Sequence, residues 1–137
     1  MTGRRAPLAV LLAASLLAVA LLTLMPAGAG WVWGSPVAEL RWYATSLNSG
    51  SAMLQLAGNL ALLTVPAALA VALWPGLGVP PRLVGLALAC GAAIELLQRV
   101  LPLGRVVSPL DALLNATGAV VAGLLVAVMA RMQPSAA

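Results

Sequence analysis

The chain has 137 residues, of which 63% are apolar and 7% charged, with seven basic and three acidic side chains giving a net charge of +4. An average soluble domain is about a quarter charged, so a mean hydropathy of +1.08 describes a protein whose solvent is largely lipid. All seven basic residues are arginines and histidine is absent, which excludes a Ser–His–Asp or Cys–His triad, a histidine metal ligand, a Walker A lysine and a Schiff base.

The single cysteine, Cys90, cannot form an internal disulfide or a thiolate cluster and reads as a small packing residue in an apolar run. The isoelectric point near 11.3 is no signature of a nucleic-acid partner, because the arginines are scattered singly apart from Arg4-Arg5 and form no basic stripe. An inner-membrane protein with arginines at its cytoplasmic ends gives the same value.

A membrane-crossing helix needs roughly 20 apolar residues, and four stretches meet that. The first runs from about Pro7 to Met25 without a charge. Its basic Arg4-Arg5 flank and Ala27-Gly28-Ala29 also suit a signal peptide, but the apolar run exceeds the usual core of about 7–15 residues, so a retained helix is expected. Pro26 to Met53 follows as the longest connection; Trp31, Trp33, Trp42 and Tyr43 mark it as a surface loop at the membrane–water boundary. The second span runs from about Leu54 to Trp74, where Trp74-Pro75-Gly76 ends it, and Pro66 should kink it. The third covers Arg82 to about Leu101 and the fourth about Pro109 to Arg131. The fold class expected is therefore an all-α membrane protein, a four-helix bundle forming one domain over the whole chain. With Arg4, Arg5, Arg82 and Arg131 on one side against Arg41, Arg99 and Arg105 on the other, both termini are expected to be cytoplasmic.

Lipid supplies no hydrophobic drive between helices, so small residues must let them pack closely. The fourth span carries Ala112, Ala116, Ala119 and Gly123 beside Asp111, Asn115, Gly118 and Ala122; the third carries Gly85, Ala89 and Ala93, and the second Gly58 and Ala61.

Ionisable groups inside a span are costly and mark function by default. Glu95, Gln98 and Arg99 share a helix face at i, i+3 and i+4, Arg105 and Ser108 follow in the connection, Asp111 and Asn115 lie one turn apart on the last span, and Asn59 opens the second. Glu95 is about 20 Å along the helix from Arg82 at about 1.5 Å per residue, near the outer leaflet in the expected orientation. Structural roles compete with functional ones. Ser108-Pro109-Leu110-Asp111 fits a capping box, Glu95 and Arg99 are a favourable helical pair, and the asparagines suit interhelical hydrogen bonds. As chemistry, a desolvated Glu95 or Asp111 could serve as an acid or base, and Arg105 could grip a phosphate or carboxylate. Two arginines beside two acids disfavour a divalent cation, so no metal and no cofactor is expected.

The pattern Glu95-x2-Gln98-x6-Arg105-x2-Ser108-x2-Asp111-x3-Asn115-x-Thr117-Gly118 resembles the signature of the VanZ-like family, as do Thr23-Leu24-x-Pro26 and Asn59 followed by Pro66. Around Pro66 the family often has Phe before the proline and Gly soon after; here Thr64 and Ala67 or Ala68 stand there. The resemblance implies a small polytopic membrane protein, and the family's namesake is associated with low-level resistance to the glycopeptide teicoplanin. It marks Glu95, Gln98, Arg105, Ser108, Asp111 and Asn115 as signature positions and assigns them no roles; with Asn59 they make up the candidate polar cluster. Four readings stay open. The chain could be an envelope protein whose outer cluster meets a membrane lipid, a lipid-linked cell-wall precursor or a glycopeptide, with Arg105 on the anion, Glu95 and Asp111 orienting it and Gln98 and Asn115 hydrogen-bonding. It could be an enzyme on a lipid-linked substrate using Glu95 or Asp111, or a small transporter subunit, for which four helices suggest a homo-oligomer. In the fourth reading the cluster is structural glue.

Overall fold

The computed structural model describes residues 5–132; Arg4, half of the basic pair before the first span, lies outside them. Helix α1 covers Arg5–Leu24, strand β1 Trp31–Trp33, α2 Pro36–Ser46, α3 Gly50–Leu62 and α4 Thr64–Leu73. A 3-10 turn at Pro75–Gly78 leads into α5 (Pro80–Val100), then strand β2 (Arg105–Val107) and α6 (Pro109–Met132). Four helical stretches are long and apolar enough to cross a membrane: α1, α3 with α4, α5 and α6. The all-α bundle is therefore present, and its spans start and stop close to where composition places them.

The second span departs most from expectation. It begins at Gly50, because Ser49 caps α3 by accepting from the Ala52 N–H at 3.2 Å. It breaks at Leu63, where the backbone leaves helical geometry (φ −99°, ψ 3°). Pro66 is three residues further on; a proline has no N–H and its ring crowds the carbonyl four residues back, so the disturbance falls on the preceding turn. Thr64 Oγ1 takes up the Ala61 carbonyl at 2.7 Å, meeting one of the acceptors that the break releases.

The Pro26–Met53 connection is more ordered than a loop. It holds β1 and α2, and β1 pairs in parallel with β2 in the register Trp31↔Arg105, Val32↔Val106 and Trp33↔Val107. The pairing is extended by Ala27 N–H to the Leu103 carbonyl (2.7 Å), Gly104 N–H to that of Gly30 (2.6 Å) and Gly34 N–H to that of Val107 (2.8 Å). Gly104 has φ +66°, and a Cβ there would run into the Gly28 backbone, so two features at once demand glycine.

Helix α6 sits at the centre, packed against α5, α4 and α3, while α1 leans chiefly on α4. The apolar core is built from small side chains, with Leu63, Ala87, Ala116 and Ala119 at its heart and Val19, Ala67, Ile94 and Val120 around it. Large aliphatics instead point outward, among them Leu17, Leu22, Leu96, Val121 and Leu125, as expected when the surroundings are hydrocarbon and helices approach through small residues. Gly118 marks the closest approach: a Cβ there would strike the Leu60 carbonyl. Gly118→Ala should therefore separate α3 from α6 and cost about 1–3 kcal/mol, measurable as a lowered thermal midpoint in detergent.

Candidate functional site

Helix α6 begins at one end of the bundle with Ser108 as its cap. The Ser108 hydroxyl accepts from the N–H groups of Leu110 (3.1 Å) and Asp111 (3.2 Å), the bonds a capping serine should make. In a capping box the residue at N3 would return the favour by accepting the cap's own N–H. Here Asp111 does not; Glu95 reaches across from α5, and its Oε2 accepts from Ser108 N at 2.7 Å. The cap is thus completed between helices, and the carboxylate of Asp111 is left to face the bundle interior.

The helix faces explain why Glu95 arrives there. Leu83, Ala87, Gly91, Glu95 and Gln98 form the buried stripe of α5, at the spacing of one helical face. At Gly91 a Cβ would lie 2.5 Å from the Ala112 carbonyl oxygen, so α5 and α6 close together one turn before Glu95. One turn beyond it, the Arg99 guanidinium carbon stands 6.0 Å from the Trp33 ring centroid, at the outer reach of a cation–π contact.

A third acid joins them. The Ser108 hydroxyl donates to Glu39 Oε2, so Ser108, with no exposed surface, touches two carboxylates through two different donors. Gly34 makes the room, since a Cβ there would collide with the Glu39 carboxylate and lie 3.2 Å from Ser108 Cβ. Glu39 is the residue that sequence reasoning missed. Its signal was its rarity, one of three acids in the chain, but nothing local says that α2 folds back over α6.

One turn after Glu39, α2 buries Tyr43. The phenol is surrounded by Asp111, Glu39, Gln55 and Asn59, and burial, with added repulsion from Asp111 and Glu39, pushes it up from 10.0 to about 12. Asp111 in turn shares its surroundings with Glu39, Gln55, Asn59 and Tyr43. Four side-chain atoms at this end are buried without a hydrogen-bond partner among the described residues: Tyr43 Oη, Asn59 Nδ2, Asp111 Oδ1 and Asn115 Oδ1. Asn115 is 1% exposed and follows Asp111 by one turn of α6. Tyr43, Asn59 and Asp111 are close enough to interact with one another without completing these hydrogen bonds, and buried polar groups are normally paired, so a group that both donates and accepts would find partners here. Hydroxyl and amide groups qualify.

Gln98 and Arg105 take another direction. Gln98 Nε2 donates to the Thr23 carbonyl at 3.0 Å. Arg105 donates through Nη2 to the carbonyls of Leu22 and Met25, both at 2.9 Å, and through Nε to that of Met25 at 3.3 Å. These are the carbonyls a helix end leaves unsatisfied, so both side chains finish α1. Arg105, expected to meet an anion, here holds backbone carbonyls through Nε and Nη2. Of the sequence candidates, Glu95, Ser108, Asp111, Asn115 and Asn59 gather around α6, whereas Gln98 and Arg105 anchor α1 beside them. Among the described residues no group of three acidic, cysteine or histidine side chains is arranged to hold a metal ion.

These features define a small polytopic membrane protein with a polar centre at the shared ends of its helices. The family model VanZ/LLP1 matches residues 10–130, and the chain belongs to that family. Comparison with curated proteins gives no significant match, and comparison with solved structures gives none either.

Ser108→Ala should cost about 1–3 kcal/mol, since it removes the cap and strips Glu39 of its donor; Ser108→Thr should restore most of it, with thermal unfolding in detergent as the measurement. Tyr43 is the only tyrosine, so ultraviolet titration of the folded protein should show one phenolate midpoint near 12, against 10.0 when unfolded. Because the folded value is the higher one, folding stability should be unaffected below pH 10.0 and fall as the pH rises towards 12. Asp111→Asn should move the midpoint down.

Proposed function

We propose that this VanZ/LLP1-family chain is an envelope protein of the cell membrane, with both termini cytoplasmic and the polar centre at the outer leaflet. There the centre binds a hydrogen-bonding group of an envelope ligand and so contributes to resistance against glycopeptides of the teicoplanin type. One observation carries the reading: all three acids of a nearly uncharged chain face the same place, beside four buried polar atoms whose hydrogen bonds are not completed among the described residues. Packing alone does not call for such a gathering, because bringing carboxylates together in a low-dielectric medium is costly. The ligand chemistry that suits the site is a donor-rich group, as on a sugar or a peptide amide. Three acids meet here, and Arg105 donates to the end of α1. Arg4, Arg5, Arg82 and Arg131 support the cytoplasmic placement of the termini.

The test is expression in a teicoplanin-sensitive host, with membrane abundance measured alongside susceptibility. The wild-type chain should raise the inhibitory concentration, and Glu39→Gln and Asp111→Asn should return it to the host value at unchanged abundance. A wild-type chain without effect, or variants that protect fully, would remove the polar centre from the account.

A further inference from the structure

A second feature lies on the far side of Glu95. Between α5 and α6 runs a cleft of about 480 Å³, walled by Ala92 and Leu96 from α5 and Leu113 from α6, with Arg99 and Trp33 at one end. It extends along α5 from Arg99 back to Leu88, about 16 Å at about 1.5 Å per residue. Leu88, Leu96 and Leu113 remain exposed, and both helices are spans, so the opening faces hydrocarbon. Its occupant must enter sideways and bring an apolar chain.

The charge at the mouth says what the chain is attached to. Arg99 lies in the last turn of α5, the depth at which a lipid carries its phosphate. Pro109, the first residue of α6, also lines the cleft, which adds the positive end of a helix of 24 residues. Glu95 lines the same cleft, but its Oε2 is engaged by the Ser108 N–H at 2.7 Å, so part of its charge is already met. We infer that the cleft is a lipid subsite, in which one chain of an anionic phospholipid lies between α5 and α6 with its phosphate against Arg99. The phosphate adds to the contacts Arg99 already makes, including the one with the Trp33 ring. Guanidinium pairs with phosphate through two parallel hydrogen bonds, and the apolar walls hold the chain. This subsite meets the polar centre at Glu95, but neither Glu39 nor Asp111 lines it.

The full chain, purified in a nonionic detergent, is titrated with phosphatidylglycerol, with phosphatidylethanolamine and with glycerol 1-phosphate, and bound lipid is counted by native mass spectrometry. Phosphatidylglycerol should be retained about fivefold more tightly than phosphatidylethanolamine, whose ammonium offsets the phosphate charge that Arg99 attracts, the upper end for a partly exposed ion pair, and glycerol 1-phosphate should not bind. Arg99→Gln should erase the preference. Ala92→Phe, which fills the cleft from an exposed position, should reduce retention of phosphatidylglycerol by a similar factor with helix content unchanged. Equal retention of both lipids by the wild type would overturn the inference, as would Ala92→Phe binding like the wild type or glycerol 1-phosphate binding as tightly as the lipid. Should Arg99→Gln fail to fold, Ala92→Phe decides alone. The glycopeptide test uses other residues, so either reading can fail without the other.

Discussion

Everything at the polar end depends on how the first turn of α6 satisfies its backbone. A helix that starts within or beside a bilayer has N–H groups that water cannot reach, and each must find an acceptor in the protein. Ser108 supplies one through its side chain, and its own N–H goes to Glu95. That single exchange brings α5 and α6 into contact at Glu95, turns Asp111 away from the capping role and leaves the Ser108 hydroxyl proton for Glu39. The site is therefore a by-product of capping in one sense and its purpose in another. The cap needs one acid, and the structure supplies three.

The same constraint explains the division of labour among the remaining polar residues. Helix α1 ends near α5 and β2 with carbonyls to satisfy, and Gln98 and Arg105 satisfy them. Arg105 thereby fixes the end of α1 beside the ribbon, and the ribbon fixes α2, whose Glu39 and Tyr43 complete the centre. A guanidinium that looks like a ligand contact in the sequence also ties down the end of α1, and a glutamate in an aromatic-rich connection joins the polar centre.

Much of the fold was legible because hydrophobic length is a strong local signal. The ends of α1, α5 and α6 follow from where apolar runs meet Pro, Gly or Arg, and Ser108-Pro109 announces the start of α6. Glu95, Asp111 and Asn115 could be grouped because helical spacing and one short hairpin relate them. The residues that escaped are those whose place depends on distant pairing. Glu39 and Tyr43 reach the centre only because Trp31–Trp33 pairs with Arg105–Val107, and three-residue strands leave almost no periodicity to read. The early start of the second span at Gly50 was hidden for a milder reason, since Ser49 is a cap amid several equally polar neighbours.

The two-stranded ribbon also carries a consequence for assembly. Its strands are parallel, and the second and third spans lie between them in the chain. During synthesis β1 therefore emerges with no partner and must wait while α3, α4 and α5 are made and inserted. Loop closure over such a distance comes late in folding. Until β2 arrives, α2 has no ribbon to hold it over α6, and Ser108 has not yet been added to receive Glu39. The polar centre thus cannot form before the last hairpin has been made. A chain that has gathered its three acids is by that fact one whose first connection and last hairpin have already met.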